Sequence, residues 1–588
     1  VRVQTGKALL AGVAALALAL TACSSSGGNK PANGSSGGAT SGNGEATALG
    51  TGAFASCVQT PNTCNSGTAK HGGTVTYVLE KTIPGWNINT GNSGVFELAE
   101  VEDAILPGVY NTNPDLKPFL NTDLMVSADQ QVSNGVQKLI YKIQPNAVWS
   151  DGQPINFDDF KYLADANNPA ICPDCAVASS AGYTSIKSMA SSDNGKTVTI
   201  TMKTPFADWQ SMFGNLLPAH IASQHGDIHT AKGLASSFLW FDQHVPTFSG
   251  GALLIKNYVK DQSVTEVPNP KYYAKDKSPL DQVIFRIITD QAQEVPALQN
   301  HEVDAIYPQP TQDIVTQAKG LQGVQTDIGT GLVWEHFDLN EANKFLKDHA
   351  LRLAIFTAID RKALIARTVG TFAPQIRPVG NHIYLPGQPG YQDNVTSTGQ
   401  GSGDVAKAKQ ILTQAGYKGV GSSLMTPSGQ KVSLSCLHSQ GNTLRQTECE
   451  IVQQTLAQLG IPVTLKTTSD LHELASGQFD IVVFAWQGTP FVIAGAQQIW
   501  ELKGGGDYGK NNDPQVEQLI NQAATQTNPQ KVIQMLNQAD QKLTADAYVL
   551  PLYPKPSFLA ANTNVVNIRN NATSVGPPYN VQAWGLKS

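Results

Sequence analysis

Apolar and polar residues begin to alternate at Val75, Tyr77 and Leu79, just after His71-Gly72-Gly73-Thr74, and predict a first strand there. Residues 96–105 read as a helix with an acidic start, and residues 138–144 alternate as a strand. Ser150-Asp151-Gly152-Gln153-Pro154 is a turn leading into a helix over 158–166. Asn194-Gly195-Lys196, between a Ser/Thr-rich and a Val/Ile-alternating segment, signals a hairpin. Further strands are predicted at 283–288, 303–306 and 333–339, with a short helix at 295–300. Leu353, Phe356, Ile359 and Ala363 recur at helical spacing and predict one long helix over 349–366. A helix over 450–459 ends at Gly460 and leads into a strand at 462–465. Alternating strands and helices of this kind argue for α/β lobes with mixed sheets. No internal repeat is visible.

At 588 residues the chain exceeds one ordinary core, so two or three lobes are expected. An apolar fraction of 41% with 15% charged residues is that of a globular protein. The net charge of −6, without clustered Lys/Arg or a polybasic run, gives no footprint for nucleic acid or a membrane surface.

The first residues change that picture at one end only. Arg2 and Lys7 precede an Ala/Leu/Val run over 8–20, shorter than the ~20 apolar residues a bilayer span needs. This is the pattern of a signal peptide over 1–22. It ends in Leu20-Thr21-Ala22-Cys23, which resembles a bacterial lipobox and makes Cys23 the expected site of lipidation. The Gly/Ser/Asn-rich tract that follows, within 23–70, has too little apolar surface to order itself. It is expected to be a flexible tether with a reach of ~35–40 Å. Localisation outside the cytoplasm, anchored to the cell membrane by lipid, follows from this reading. The six other cysteines fall into three local pairs, Cys57/Cys64, Cys172/Cys175 and Cys436/Cys449, which read most simply as disulfides in an oxidising compartment. The CxxC at 172–175 also fits a redox site or half a zinc site, but the βαβ context and further ligands those need are not seen.

Catalytic signatures occur only as fragments. His301-Glu302 and His472-Glu473 start like HExxH, but Ala305 and Ser476 stand where the second histidine is required. Gly195-Lys196 lacks the upstream glycine of a phosphate-binding loop, position 190 being alanine. No GxSxG elbow occurs. Neither enzyme activity, a metal nor a cofactor is expected.

Several segments, taken in order, resemble the peptide/nickel-type solute-binding proteins of ABC importers: HGGTVTYVLE, VWSDGQPINFDDFKYLAD, SGGALLIKNY, VPNPKYYAKDKSPLDQVIFRIITD, ALQNHEVDAI, HALRLAIFTAIDRKALI, LGIPVTLK, GQFDIVVFAWQG, NNDPQVEQLI and VLPLY. The resemblance runs from about residue 71 to the end. It implies an α/β, two-lobe, periplasmic-binding-protein-like fold (class II/cluster C) with an extra subdomain on lobe I and a hinge between the lobes. Lobe I would comprise 71–112, the subdomain 113–244, then 245–332 and the return 546–588, with lobe II over 333–545. It further implies a monomer that hands an oligopeptide or peptide-sized solute to an ABC permease and ATPase complex. Asp151, Gly152, Asp360 and Arg361 are expected to serve turns and caps. Ligand contacts are expected at Trp486, Thr489 and Tyr553, which fall in family segments, and at Trp86 and Glu80 after the opening strand. One departure bears on the ligand: peptide binders commonly carry W-x-x-D, whereas this chain has Trp486-Gln487-Gly488-Thr489. A hydroxyl cannot neutralise an α-ammonium. Either Glu80 or Asp507 does so, or the ligand has no free amino terminus. A glycolipid-binding or accessory role in the envelope, uncoupled from import, is the alternative.

Overall fold

A computed structural model describes residues 49–468, 477–501, 506, 508–510 and 513–588. Ten strands form its main sheet: β1 Thr74–Leu79, β2 Leu253–Val259, β3 Ser263–Pro268, β4 Gln282–Ile287, β5 Ala305–Ile306, β6 Val324–Leu339, β7 Leu434–Ser439, β8 Val463–Thr468, β9 Ile481–Gln487 and β10 Val549–Asn562. Their order across the sheet is β8-β7-β9-β6-β10-β5-β1-β4-β3-β2. The sheet is mixed: β1 runs parallel to β4 and β5, β7 parallel to β8 and β9, while β6 is antiparallel to both β9 and β10. The alternation read at β1 buries Val75, Tyr77 and Leu79 in one core, and Val78 on the other face in a second. Tyr77 is closed in by Phe285 and Trp584, at centroid distances of 6.0 and 5.6 Å. The chain ends join here as well, since Gly585–Lys587 pairs antiparallel with both Ala69–Lys70 and Val565–Val566.

Two strands span both halves of the sheet. The 324–330 end of β6 pairs with 556–562 of β10, and residues 334–338 with 549–554. Between these stretches Gly331, Leu332 and Val333 stand opposite the single residue Lys555. Pro554 and Pro556 flank Lys555 and have no N–H to donate, so the ladder lapses where the chain passes from one lobe to the other.

A four-stranded antiparallel sheet, in the order Met125–Ser133, Val136–Ile143, Thr197–Met202, Ile186–Ser192, forms an additional layer on the first lobe. The hairpin at 194–196 is present, with Asn194 and Gly195 at φ 53° and +82°. The helix Phe157–Ala166 covers this sheet, and its start is fixed by a capping box between Asn156 and Asp159.

The long helix expected over 349–366 is two helices, His349–Ala358 and Arg361–Arg367. Ile359 is extended, and Asp360 caps the second helix by accepting from the Ala363 N–H. The Arg361 guanidinium is buried against the carbonyls of Val379 and Pro551. The helix expected at 450–459 begins earlier, as Thr443–Ala457 with Asn442 as its cap. Disulfides join Cys57–Cys64, Cys172–Cys175 and Cys436–Cys449. The last ties this helix to β7. The lipidation site Cys23, the signal peptide over 1–22 and most of the tether lie outside the described residues, as does Asp507.

Candidate functional site

A cavity of about 190 Å³ opens where β6 and β10 lose their pairing. Gly331 lines it, and a Cβ there would lie 2.1 Å from the Ala572 carbonyl oxygen, so only glycine permits this close approach. Glu80 follows β1, Phe96 and Glu97 begin the helix Phe96–Glu102, and Tyr307 follows β5. Val333, Gln487 and Lys555 come from the strands that continue into the second lobe. Phe96 and Tyr307 stack at 6.2 Å to form an apolar wall, and the Tyr307 hydroxyl donates to Asn570 Oδ1 at 3.1 Å. Aromatic walls with a few fixed polar groups are usual for a small-ligand site.

The charges of the lining are mostly satisfied within the protein. Glu97 is 3.1 Å from the Lys81 ammonium, and Glu80 accepts from the Gln309 N–H and from Gln291 Nε2 at 3.1 and 3.2 Å. Burial raises the Glu80 carboxyl above its ordinary range. Lys555 differs: among the described residues its ammonium has only longer-range interactions, with Glu335, Glu80 and Glu448. Burial lowers its pKa.

Beneath the cavity floor lies a buried polar layer. Glu335 of β6 accepts from Arg445 Nε, and Arg445 also reaches Ser439 Oγ at 2.9 Å. Tyr553, opposite Glu335 in the ladder, donates to Glu448. Burial, reinforced by neighbouring Glu335, pushes the Glu448 carboxyl well above its usual range. Burial also raises Glu335, but Arg445 and then Lys555 outweigh it and hold that carboxyl low. One ion pair and one acid–phenol pair therefore sit side by side on the helix Thr443–Ala457, which the Cys436–Cys449 disulfide fastens to the sheet.

Strand alternation decides which expected residues meet the cavity. Val333 and Gln487 are paired and face it, so Trp334 and its partner Trp486 face the opposite side. There Trp486 stacks on Tyr508 at 5.3 Å. Of the five residues expected to touch ligand, Glu80 lines the cavity and Tyr553 lies in the layer below it. Trp86 is buried in the first lobe, edge-on to Tyr258 at 4.9 Å. Thr489 closes a turn, its hydroxyl donating to the Phe491 carbonyl and accepting the Phe491 N–H. Lys555, Gln487 and Tyr307 were not singled out in the sequence. A lone lysine between two prolines in an otherwise apolar run was the one available signal.

A second contact bridges the lobes. Asp208, in the loop after Thr197–Met202, accepts from the N–H groups of Ile493 and Ala494 at 2.8 and 3.0 Å, at the start of the helix Val492–Trp500. That helix has no cap of its own, because Phe491 occupies the N-cap position. The neighbouring Ala207 N–H donates to the Ala524 carbonyl at 2.9 Å.

Comparison with known proteins agrees with this architecture. The profile of bacterial extracellular solute-binding proteins, family 5 (middle), matches residues 120–510. The oligopeptide-binding protein OppA of Mycobacterium tuberculosis (strain ATCC 25618 / H37Rv) is 29% identical over 515 residues, which is 85% of this chain and 83% of OppA. The solved structure of the periplasmic EDTA-binding protein EppA is 36% identical and superimposes with a TM-score of 0.86, covering 90% of this chain and 99% of EppA. AppA of Bacillus subtilis in complex with a nonapeptide shares the fold at 20% identity, with a TM-score of 0.72 over 89% of this chain and 100% of AppA. With two lobes, a cavity at their crossing and a family match over most of its length, the chain belongs to the bacterial extracellular solute-binding proteins of family 5.

Proposed function

We propose that the cavity between β6 and β10 captures an oligopeptide or a peptide-sized solute and that the loaded protein delivers it to the permease and ATPase of an ABC importer. The observation that carries this reading is the composition of the cavity, with walls from both lobes at the point where the two connecting strands lose their pairing. A ligand held there contacts both lobes at once and favours the closed form by its differential affinity for it. The hinge is assigned to residues 330–334 and 554–556, where the pairing of the two connecting strands lapses. Relatives named for oligopeptides and for EDTA support a solute of this size. Cys23 is assigned as the lipid attachment point and the Gly/Ser-rich tract as the tether.

Two measurements test the proposal. Native mass spectrometry of the purified protein is expected to reveal a small co-purifying solute. Thermal shifts with short peptides, N-acetylated or free, and with polycarboxylates are expected to give at least one stabilising ligand. A glycolipid adduct with no response to any of these solutes would instead favour the envelope role. For the anchor, metabolic labelling with palmitate is expected to mark the wild type and not C23A.

A further inference from the structure

We propose that the cavity selects solutes bearing a carboxylate, and that Lys555 is the group that binds it. The inference rests on the cavity being the ligand site. Its starting point is the balance of charge around the cavity. The acids there are already committed: Glu97 to Lys81, Glu80 to Gln309 and Gln291, and Glu335 to Arg445. Glu448, whose carboxyl burial pushes well above its usual range, accepts from the Tyr553 hydroxyl. Lys555 is left with a positive charge and no partner at hydrogen-bond distance among the described residues.

An unpaired ammonium on the wall of a half-enclosed cavity is costly, and a ligand anion removes that cost while gaining a charge-assisted bond. Pro554 and Pro556 fix φ on either side of Lys555 and so restrain the backbone from which its side chain reaches the cavity. Gln487, on the same wall, gives one amide hydrogen to the Gly488 carbonyl and can donate the other to the second carboxylate oxygen. The same balance disfavours the opposite ligand end. Among the described residues the two acids of the lining, Glu80 and Glu97, are already engaged within the protein, so neither offers a free counter-charge to an α-ammonium. Two kinds of solute supply the required carboxylate: a peptide through its C-terminus or acidic side chains, and a non-peptide polycarboxylate.

The test is titration calorimetry on the purified protein, with tripeptides as free acids and as C-terminal amides, and with EDTA and citrate. Wild type is expected to prefer the acid over the matched amide, or to bind a polycarboxylate. Lys555→Gln is expected to weaken that ligand about 10- to 100-fold, the range for loss of a hydrogen bond to a charged group. Lys555→Arg, which keeps the charge, should retain most of the affinity. The peptide and polycarboxylate arms show which source the site serves. Equal binding of acid and amide by wild type with no binding of either polycarboxylate, or undiminished binding of the preferred carboxylate by Lys555→Gln, overturns the assignment of Lys555 while leaving the cavity as the ligand site. Absence of binding by every probe to wild type overturns both.

Discussion

Removing the Asp208 carboxylate should loosen the contact between the lobes without touching the cavity. The two N–H groups that Asp208 accepts from, on Ile493 and Ala494, have no alternative acceptor on their own helix start. Loss of an N-cap acceptor costs about 0.5–2 kcal/mol, typically ~1, and the partly buried setting places D208A in the upper half of that range. A loss of 1–2 kcal/mol changes an equilibrium by a factor of about 5–30. The closed-to-open ratio, and with it the apparent affinity for solute, should fall by that factor where the open form predominates. D208N keeps an acceptor and removes a charge whose burial is unfavourable, so it should bind at least as tightly as wild type at pH 7. The pH dependence follows from the same geometry. Burial raises the Asp208 carboxyl to about 6, despite the two backbone N–H bonds that lower it, and no neighbouring charge contributes. In an open, hydrated form the group would titrate near ~3.9. The closed form therefore takes up a proton as pH falls through 6, and closure becomes more favourable on acidification, down to about pH 4. Small-angle scattering of the ligand-free protein and calorimetry with a stabilising solute, from pH 7.5 to 5, read both effects. Equal compactness and affinity for D208A and wild type would show that Asp208 does not hold the lobes together, and a pH response in D208N that matches wild type would show that its carboxyl does not titrate with closure.

Other perturbations address the layer under the cavity and the first lobe. R445M leaves Glu335 buried without its ion-pair partner, which should cost about 3–5 kcal/mol and, for a body of this size, lower the melting temperature by about 3–4 °C; the E335Q/R445M double variant should recover much of the loss. In the first lobe, Glu266 is fully buried with neither carboxylate oxygen hydrogen-bonded, beside Asp103 and Glu102. Burial raises all three acids, Asp103 to about 8. Their stabilising protonated forms are complete below the unfolded value near ~4 and are lost as pH rises through the folded values. The melting temperature should accordingly fall between pH 6 and 9. E266Q should raise the melting temperature at pH 8 and flatten that slope, and an unchanged profile would show that the cluster does not titrate with folding.

Much of this architecture was legible in the sequence because it depends on local pattern. Val75, Tyr77 and Leu79 alternate because one face of β1 is buried, and Asn194-Gly195 specifies its own turn. The helix over 349–366 reads as continuous because its apolar spacing is, and its break depends on Asp360 capping and on Arg361 reaching Pro551 across the fold. β10 was legible only as the short motif VLPLY, since Pro551, Pro554 and Pro556 argue against a long strand when read alone. Those prolines are tolerated where the ladder lapses at the crossing. The site was harder to read. Family segments point to β9, but a shift of one residue decides whether Trp486 or Gln487 faces the cavity. The pairs Glu335–Arg445 and Asp208–Ile493 join residues far apart in the chain, and no spacing announces them.

Whether solute is held between β6 and β10 at the crossing of the lobes is decided by a crystal structure with a ligand found by thermal shift. Ligand density is expected against Lys555, Gln487 and Tyr307, with atoms of both lobes in contact with it. Ligand bound elsewhere, with that cavity unfilled, would contradict it.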